Sequence, residues 1–103
     1  MKTIMLVCNA GMSTSMLVTK MQTAAAEIGE EVDIFAVPVS EADHELADKR
    51  IDVVLLGPQV KFLLNEFKEK CEPAIKVDAI NMMDYGVMNG KNVLNTALSM
   101  LNG

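Results

Sequence analysis

The sequence predicts an α/β protein: a single domain over residues 1–103, built on an open four-stranded parallel sheet flanked by helices. Three observations predict it. Short apolar runs rich in branched residues occur at Thr3 to Cys8, Val32 to Val37, Val53 to Leu56 and, more weakly, Ile75 to Val77. Stretches of helical period separate them, the pattern of repeated strand–helix units around a parallel sheet. The length, 103 residues, suits one hydrophobic core and leaves no room for a second.

Each element has its own signal. After the first strand, Leu17, Met21, Ala24 and Ile28 recur at helical spacing, and Gly29 is placed to stop that helix. Ser40 with Asp43 resembles a capping box with Asp in place of Glu, opening a short charged helix that carries Leu46 and Ala47. Val60, Leu63, Leu64, Phe67 and Cys71 fall on one helical stripe, so Cys71 is expected in the core. Leu94, Ala97, Leu98 and Leu101 do the same for a final helix. Strands joined by helices cross over right-handedly, and ligands of open sheets gather beyond the carboxyl ends of the strands where the strand order reverses. The expected order, 2-1-3-4, puts the end of the first strand at such a point.

Composition excludes several functions. Half of the residues are hydrophobic and 22% are charged, which argues against disorder. The net charge of -5 argues against nucleic-acid or anionic-membrane binding, both of which need a basic surface. The apolar run at the start is too short for a signal peptide and no later run approaches membrane-spanning length, so a soluble, cytoplasmic protein without direct membrane insertion is expected. Two cysteines make no disulfide framework, and one of them, Cys8, stands beside a glycine turn.

Cys8-Asn9-Ala10-Gly11-Met12-Ser13-Thr14-Ser15 runs from a strand end through small residues into a helix. Backbone N–H groups at a helix start lack intrahelical acceptors and can converge on an anion, aided by the helix dipole. Gly11 lets the backbone curl, and the hydroxyls of Ser13, Thr14 and Ser15 add donors. The same field favours thiolate over thiol at Cys8, giving a nucleophile suited to attack phosphorus, with no metal or cofactor needed. A cysteine that merely ends a strand, and hydroxyls that merely cap a helix, are the plainer alternatives; only their combination is specific.

At this loop the sequence closely resembles the enzyme IIB components of the bacterial sugar phosphotransferase system, in the lactose/cellobiose branch. The similarity continues through Val53-Val54-Leu55-Leu56-Gly57-Pro58-Gln59 and Asp84-Tyr85-Gly86. The resemblance implies that Cys8 carries phosphate as phosphocysteine, received from a histidine of a IIA partner and delivered to a sugar bound by the membrane component IIC. It implies that Asn9 to Ser15 form the phosphate loop and that Gly57, Pro58 and Gln59 lie near its edge. The sugar expected at family level is a β-linked disaccharide such as cellobiose, chitobiose or lactose, and a monomer is the simplest form of such a shuttle.

That family shares its fold and loop shape with low-molecular-weight tyrosine phosphatases, so a phosphatase-like hydrolase is the competing reading. The phosphatase pattern is Cys, five residues, then Arg; here the corresponding position is Thr14 and the loop has no arginine. Without a guanidinium clamp, attack by water is poorly stabilised. A hydrolase also needs a general acid. Asp78 and Asp84 stand on the strand-four side from which one would approach, yet a surface or capping role is expected of both. A redox thiol would want a resolving cysteine, and Cys71 is expected to point into the core; a nucleotide-binding glycine loop with its lysine is absent. His44 sits in a charged helical segment and is read as solvated. Of the methionines, Met12 is the expected partner contact, and Met82, Met83 and Met88 are either gap-filling or adaptable surface.

Overall fold

Strand β1 (Lys2–Cys8) is buried from Ile4 onward, and β3 (Val53–Leu56) is buried throughout. Side chains alternate across a strand, so an uninterrupted buried run needs cover on both faces of the sheet. The computed structural model, which describes residues 1–9 and 12–102 and the side chains of all of these except Met12 and Ser13, supplies that cover. Helices α1 (Met12–Glu27) and α5 (Gly90–Asn102) lie on one face, where Ile4, Leu6, Val53 and Leu55 meet Leu17, Met21, Leu94 and Ala97. Helices α2 (Val39–Asp48) and α3 (Leu64–Cys71) lie on the other, where Met5, Val7, Val54 and Leu56 meet Ala42, Phe67 and Cys71.

With β2 (Val32–Pro38) and β4 (Lys76–Ala79), the sheet is wholly parallel in the order β2-β1-β3-β4. In register, Cys8 stands opposite Pro38 at the last pair of β1 and β2. The switch point therefore falls at β1, whose neighbours on the two sides are reached by chain segments leaving in opposite directions.

Four local expectations are corrected. The fourth strand begins at Lys76, not Ile75, and runs to Ala79; Lys76 and Asp78 are exposed, as an edge strand tolerates. Ile28 is half exposed beyond the end of α1, where Gly29 adopts φ 73°. Helix α2 starts at Val39 behind Pro38, no side chain caps it, and Asp43 instead pairs on the surface with Lys70 at 2.6 Å. The stripe from Val60 to Cys71 is broken into a 3₁₀ turn (Pro58–Leu63) and α3, with Val60 at φ -120° between helical neighbours. A short helix absent from the sequence reading, α4 (Met82–Gly86), follows β4, and Asn81 caps it by accepting from the amides of Met83 and Asp84 at 2.9 and 3.1 Å.

Cys71 is buried against Phe67 and Val77 as its stripe requires. Burial pushes its thiol above the ordinary 9.0; Lys70 opposes the shift, and Asp43 and Glu72 add to it. A thiol held neutral in the fold but free to ionise when unfolded stabilises the protein fully below pH 9.0 and progressively less above it, because there the unfolded chain binds fewer protons. Urea midpoints followed from pH 8 to 10.5 are therefore expected to fall more steeply for the parent protein than for Cys71→Ala; parallel curves would refute this.

Candidate functional site

Cys8 is the last residue of β1 and is 1% exposed. Its Sγ donates a long thiol hydrogen bond, 3.7 Å, to the carbonyl of Val37 on the neighbouring strand. Asn9 follows, exposed, in a bend. Ala10 and Gly11, and the side chains of Met12 and Ser13, lie outside the described residues. Helix α1 opens four positions after Cys8, so the start of its dipole is aimed at the same sheet edge.

Two hydroxyls of the first turn diverge. Ser15 is exposed, whereas Thr14 is fully buried and its Oγ1 lies 3.2 Å from the Oη of Tyr85 in α4. Thr14 holds the position at which the phosphatase pattern has its arginine, and here that side chain is turned onto another helix. The single arginine of the chain, Arg50, borders a hollow with Met1, Lys2 and Asp52 at the amino ends of the strands, opposite the Cys8 edge.

Gly57 closes the site from β3. Its amide donates to the carbonyl of Val7 at 2.8 Å, and a Cβ placed on it would lie 3.4 Å from that oxygen and 3.9 Å from Cys8 Cβ. The same Cβ would lie 3.3 Å from Gln59 Oε1, so Gln59 folds back over the glycine. Pro58 starts the 3₁₀ turn, where its missing N–H is no loss. Gly57 thus lies beside Cys8, with Gln59 folded against Gly57.

The two aspartates are placed otherwise. Asp78 is exposed on β4 and accepts from the amide of its neighbour Ala79 at 2.8 Å. Asp84 is turned toward α5, where it accepts from Asn92 Nδ2 at 3.3 Å and lines a cavity of about 10 Å³ with Ile80, Asn81 and Thr96. His44 is exposed on α2.

With this geometry in view, the relatives are informative. The family model for the lactose/cellobiose-specific IIB subunit of the phosphotransferase system matches residues 3–96. The chain belongs to that family. A galactose-specific EIIB component of Lactococcus lactis subsp. cremoris is 49% identical over 105 residues, covering 98% of this chain and 97% of the relative. A cellobiose-specific EIIB component of Lactococcus lactis subsp. lactis is 48% identical over 105 residues with the same coverage. An oligo-beta-mannoside-specific EIIB component of Bacillus subtilis is 46% identical over 102 residues, again covering 98% and 97%. In structure, the cellobiose-specific IIB component of Borrelia burgdorferi superposes with a TM-score of 0.78 at 39% identity, covering 98% of this chain and 92% of that one. A lactose-specific IIB domain of Streptococcus pneumoniae reaches 0.80 at 18% identity, over 96% of each chain, and so shares the fold.

This IIB subunit is a phosphotransfer subunit of a sugar phosphotransferase system, and IIB components act as phosphotransferases in sugar uptake. Among the described residues no helix is long and apolar enough to cross a membrane. One residue at the site escaped the sequence reading. In the sequence Tyr85 stands out only within the family segment Asp84-Tyr85-Gly86, and its hydroxyl reaches across 71 positions to Thr14. No local pattern announces such a contact; the chain's one tyrosine is the single cue the sequence offers.

Proposed function

We propose that Cys8 is the phosphoryl-accepting nucleophile of this subunit and that it carries the group as phosphocysteine between a IIA protein and a sugar held by IIC. In the first step sulfur attacks the phosphorus of a IIA phosphohistidine; the S–P bond forms as the N–P bond breaks, the electron pair returns to the imidazole nitrogen, and a proton equivalent to the one lost from the thiol ends on that nitrogen. In the second, a sugar hydroxyl attacks; the O–P bond forms, sulfur leaves as thiolate, and the hydroxyl proton is lost to solvent. The observation that carries this reading is the position of Cys8 at the carboxyl end of β1, facing the start of α1 and walled by Gly57.

Asn9 to Ser15 would supply the phosphate donors, with Gly57, Pro58 and Gln59 at the rim. The inward turn of Thr14 and the remote position of Arg50 favour a carrier over a phosphatase, since neither leaves a cation to stabilise attack by water. A carrier that hydrolysed its own phosphothiol would waste the group. The three relatives quoted bear three different sugar names at similar identity, which supports placing sugar choice in IIC. A β-linked disaccharide fits the lactose/cellobiose branch, and a cytoplasmic monomer fits a shuttle that must expose one edge.

Phe62, Met82, Met83 and Val87 are each at least 69% exposed, and all follow the carboxyl ends of β3 or β4. Apolar side chains on the Cys8 edge suit brief docking to more than one partner. IIA and the cytosolic loops of IIC are expected to compete for this edge in a binding assay; simultaneous occupancy would refute serial docking. The reading as a whole is tested by incubating the protein with phosphorylated IIA and locating the transferred group by peptide mass spectrometry. Label on the Cys8 peptide is expected; rapid hydrolysis of an aryl phosphate without any phosphocysteine would install the phosphatase reading instead.

A further inference from the structure

The threonines of this fold use their hydroxyls in two ways. Thr19, Thr23 and Thr96 donate to the carbonyl four residues earlier on their own helices, at 3.2, 3.1 and 3.1 Å, which is the ordinary local choice. Thr14 does not. Fully buried in the first turn of α1, it spends its hydroxyl on Tyr85, and Tyr85 is itself only 8% exposed. A buried hydroxyl pair in low dielectric holds its geometry strongly, because losing one partner costs desolvation of the other.

Tyr85 is in turn fixed from below. Its amide donates to Asn81 O at 2.9 Å, and Asn81 also caps α4 through its side chain. The pair thus ties the turn that opens α1 to the end of β4, across the sheet edge at which Cys8 stands. We propose that Tyr85 is a positioning residue for phosphoryl transfer, acting through Thr14 to hold the first turn of α1 in the orientation the transferring group requires. The proposal rests on the phosphocysteine reading. Donors that are aimed beforehand act on charge as it develops, so a small tilt of this turn costs rate more than binding.

The test is single-turnover transfer from phosphorylated IIA to the intact protein, with maximal rate and half-saturating donor concentration measured beside the melting temperature. Tyr85→Phe and Thr14→Val are each expected to lower the maximal rate about tenfold while leaving the half-saturating concentration unchanged. The double variant should be no slower than either single one, because both remove the same contact. Thr14→Ser, which restores the hydroxyl, should recover most of the rate that Thr14→Val loses. A Tyr85→Phe protein that melts lower but transfers at the parent rate would overturn the proposal, as would losses that add in the double variant. Failure of the parent protein to label on Cys8 would instead remove the phosphocysteine reading, and the proposal with it, before any variant is compared.

Discussion

Replacing Cys8 with serine is expected to abolish stable phosphoryl capture, lowering transfer from phosphorylated IIA by at least about 1000-fold. A serine hydroxyl is far from ionised near neutral pH, and the site holds no described histidine to take its proton: His44 is exposed on α2. The substitution should leave the fold intact. Oxygen is smaller than sulfur, and the carbonyl of Val37 that now accepts from Sγ can accept from a hydroxyl. Intact-mass analysis and the melting temperature together check both parts. Cys71→Ala is the control, since Cys71 is buried on the far face of the sheet and should label through Cys8 as the parent does. A phosphorylated Cys8→Ser protein, or label on Cys71, would refute the assignment.

The largest expected loss of stability comes from a single methyl group. Gly90→Ala would place Cβ 2.6 Å from the carbonyl carbon of Lys20, 2.7 Å from Lys20 Cβ and 2.7 Å from the amide nitrogen of Met21. Two of these three atoms are helix backbone, which cannot turn aside as a side chain would. Helix α5 must therefore lift from α1, loosening Val93, Leu94 and Ala97 from Leu17 and Met21. Overpacking of this kind costs about 3 kcal/mol. Intrinsic helix propensity predicts the opposite sign, a gain of about 1 kcal/mol for Gly→Ala, so the experiment decides cleanly between packing and propensity. A fall of more than about 10 °C in melting temperature is expected; an unchanged or raised value would mean that the two helices are free to separate without penalty.

Gly90 also shows where sequence reading stops. A glycine at a helix start looks like a turn residue, and only the approach of α1 explains it. Tyr85 and Thr14 are a similar case, since a hydroxyl pair 71 residues apart leaves no periodic trace. What was legible was what repeats locally: the branched apolar runs that became β1, β2 and β3, and the alternation with helices that implied a parallel sheet; the observed order matches the one expected from a switch point beside β1, which no local repeat fixes. That Cys8 and Gly57 share one edge was legible because the first ends β1 and the second follows β3, and parallel strands deliver their carboxyl ends to one edge. Helix α4 was not, because five residues show no helical period and its cap, Asn81, reads equally well as a turn. The fourth strand was placed one residue early at its start and two at its end because an edge strand keeps only Val77 buried. Ser40 looked like a cap, but Pro38 already sets the extended backbone from which α2 starts.

The central pair of strands has a dynamic consequence. β1 and β3 are hydrogen-bonded to each other and each is bonded again on its outer side, with both faces covered by apolar side chains. Their amide protons belong to the set that exchanges with solvent only through global opening, whereas short α4 and edge strand β4 can open in smaller excursions. Cys8 is thus anchored to the slowest-exchanging strand while its surroundings on one side come from faster ones. A shuttle can reshape the rim of its site for successive partners and keep the sulfur itself in a fixed place.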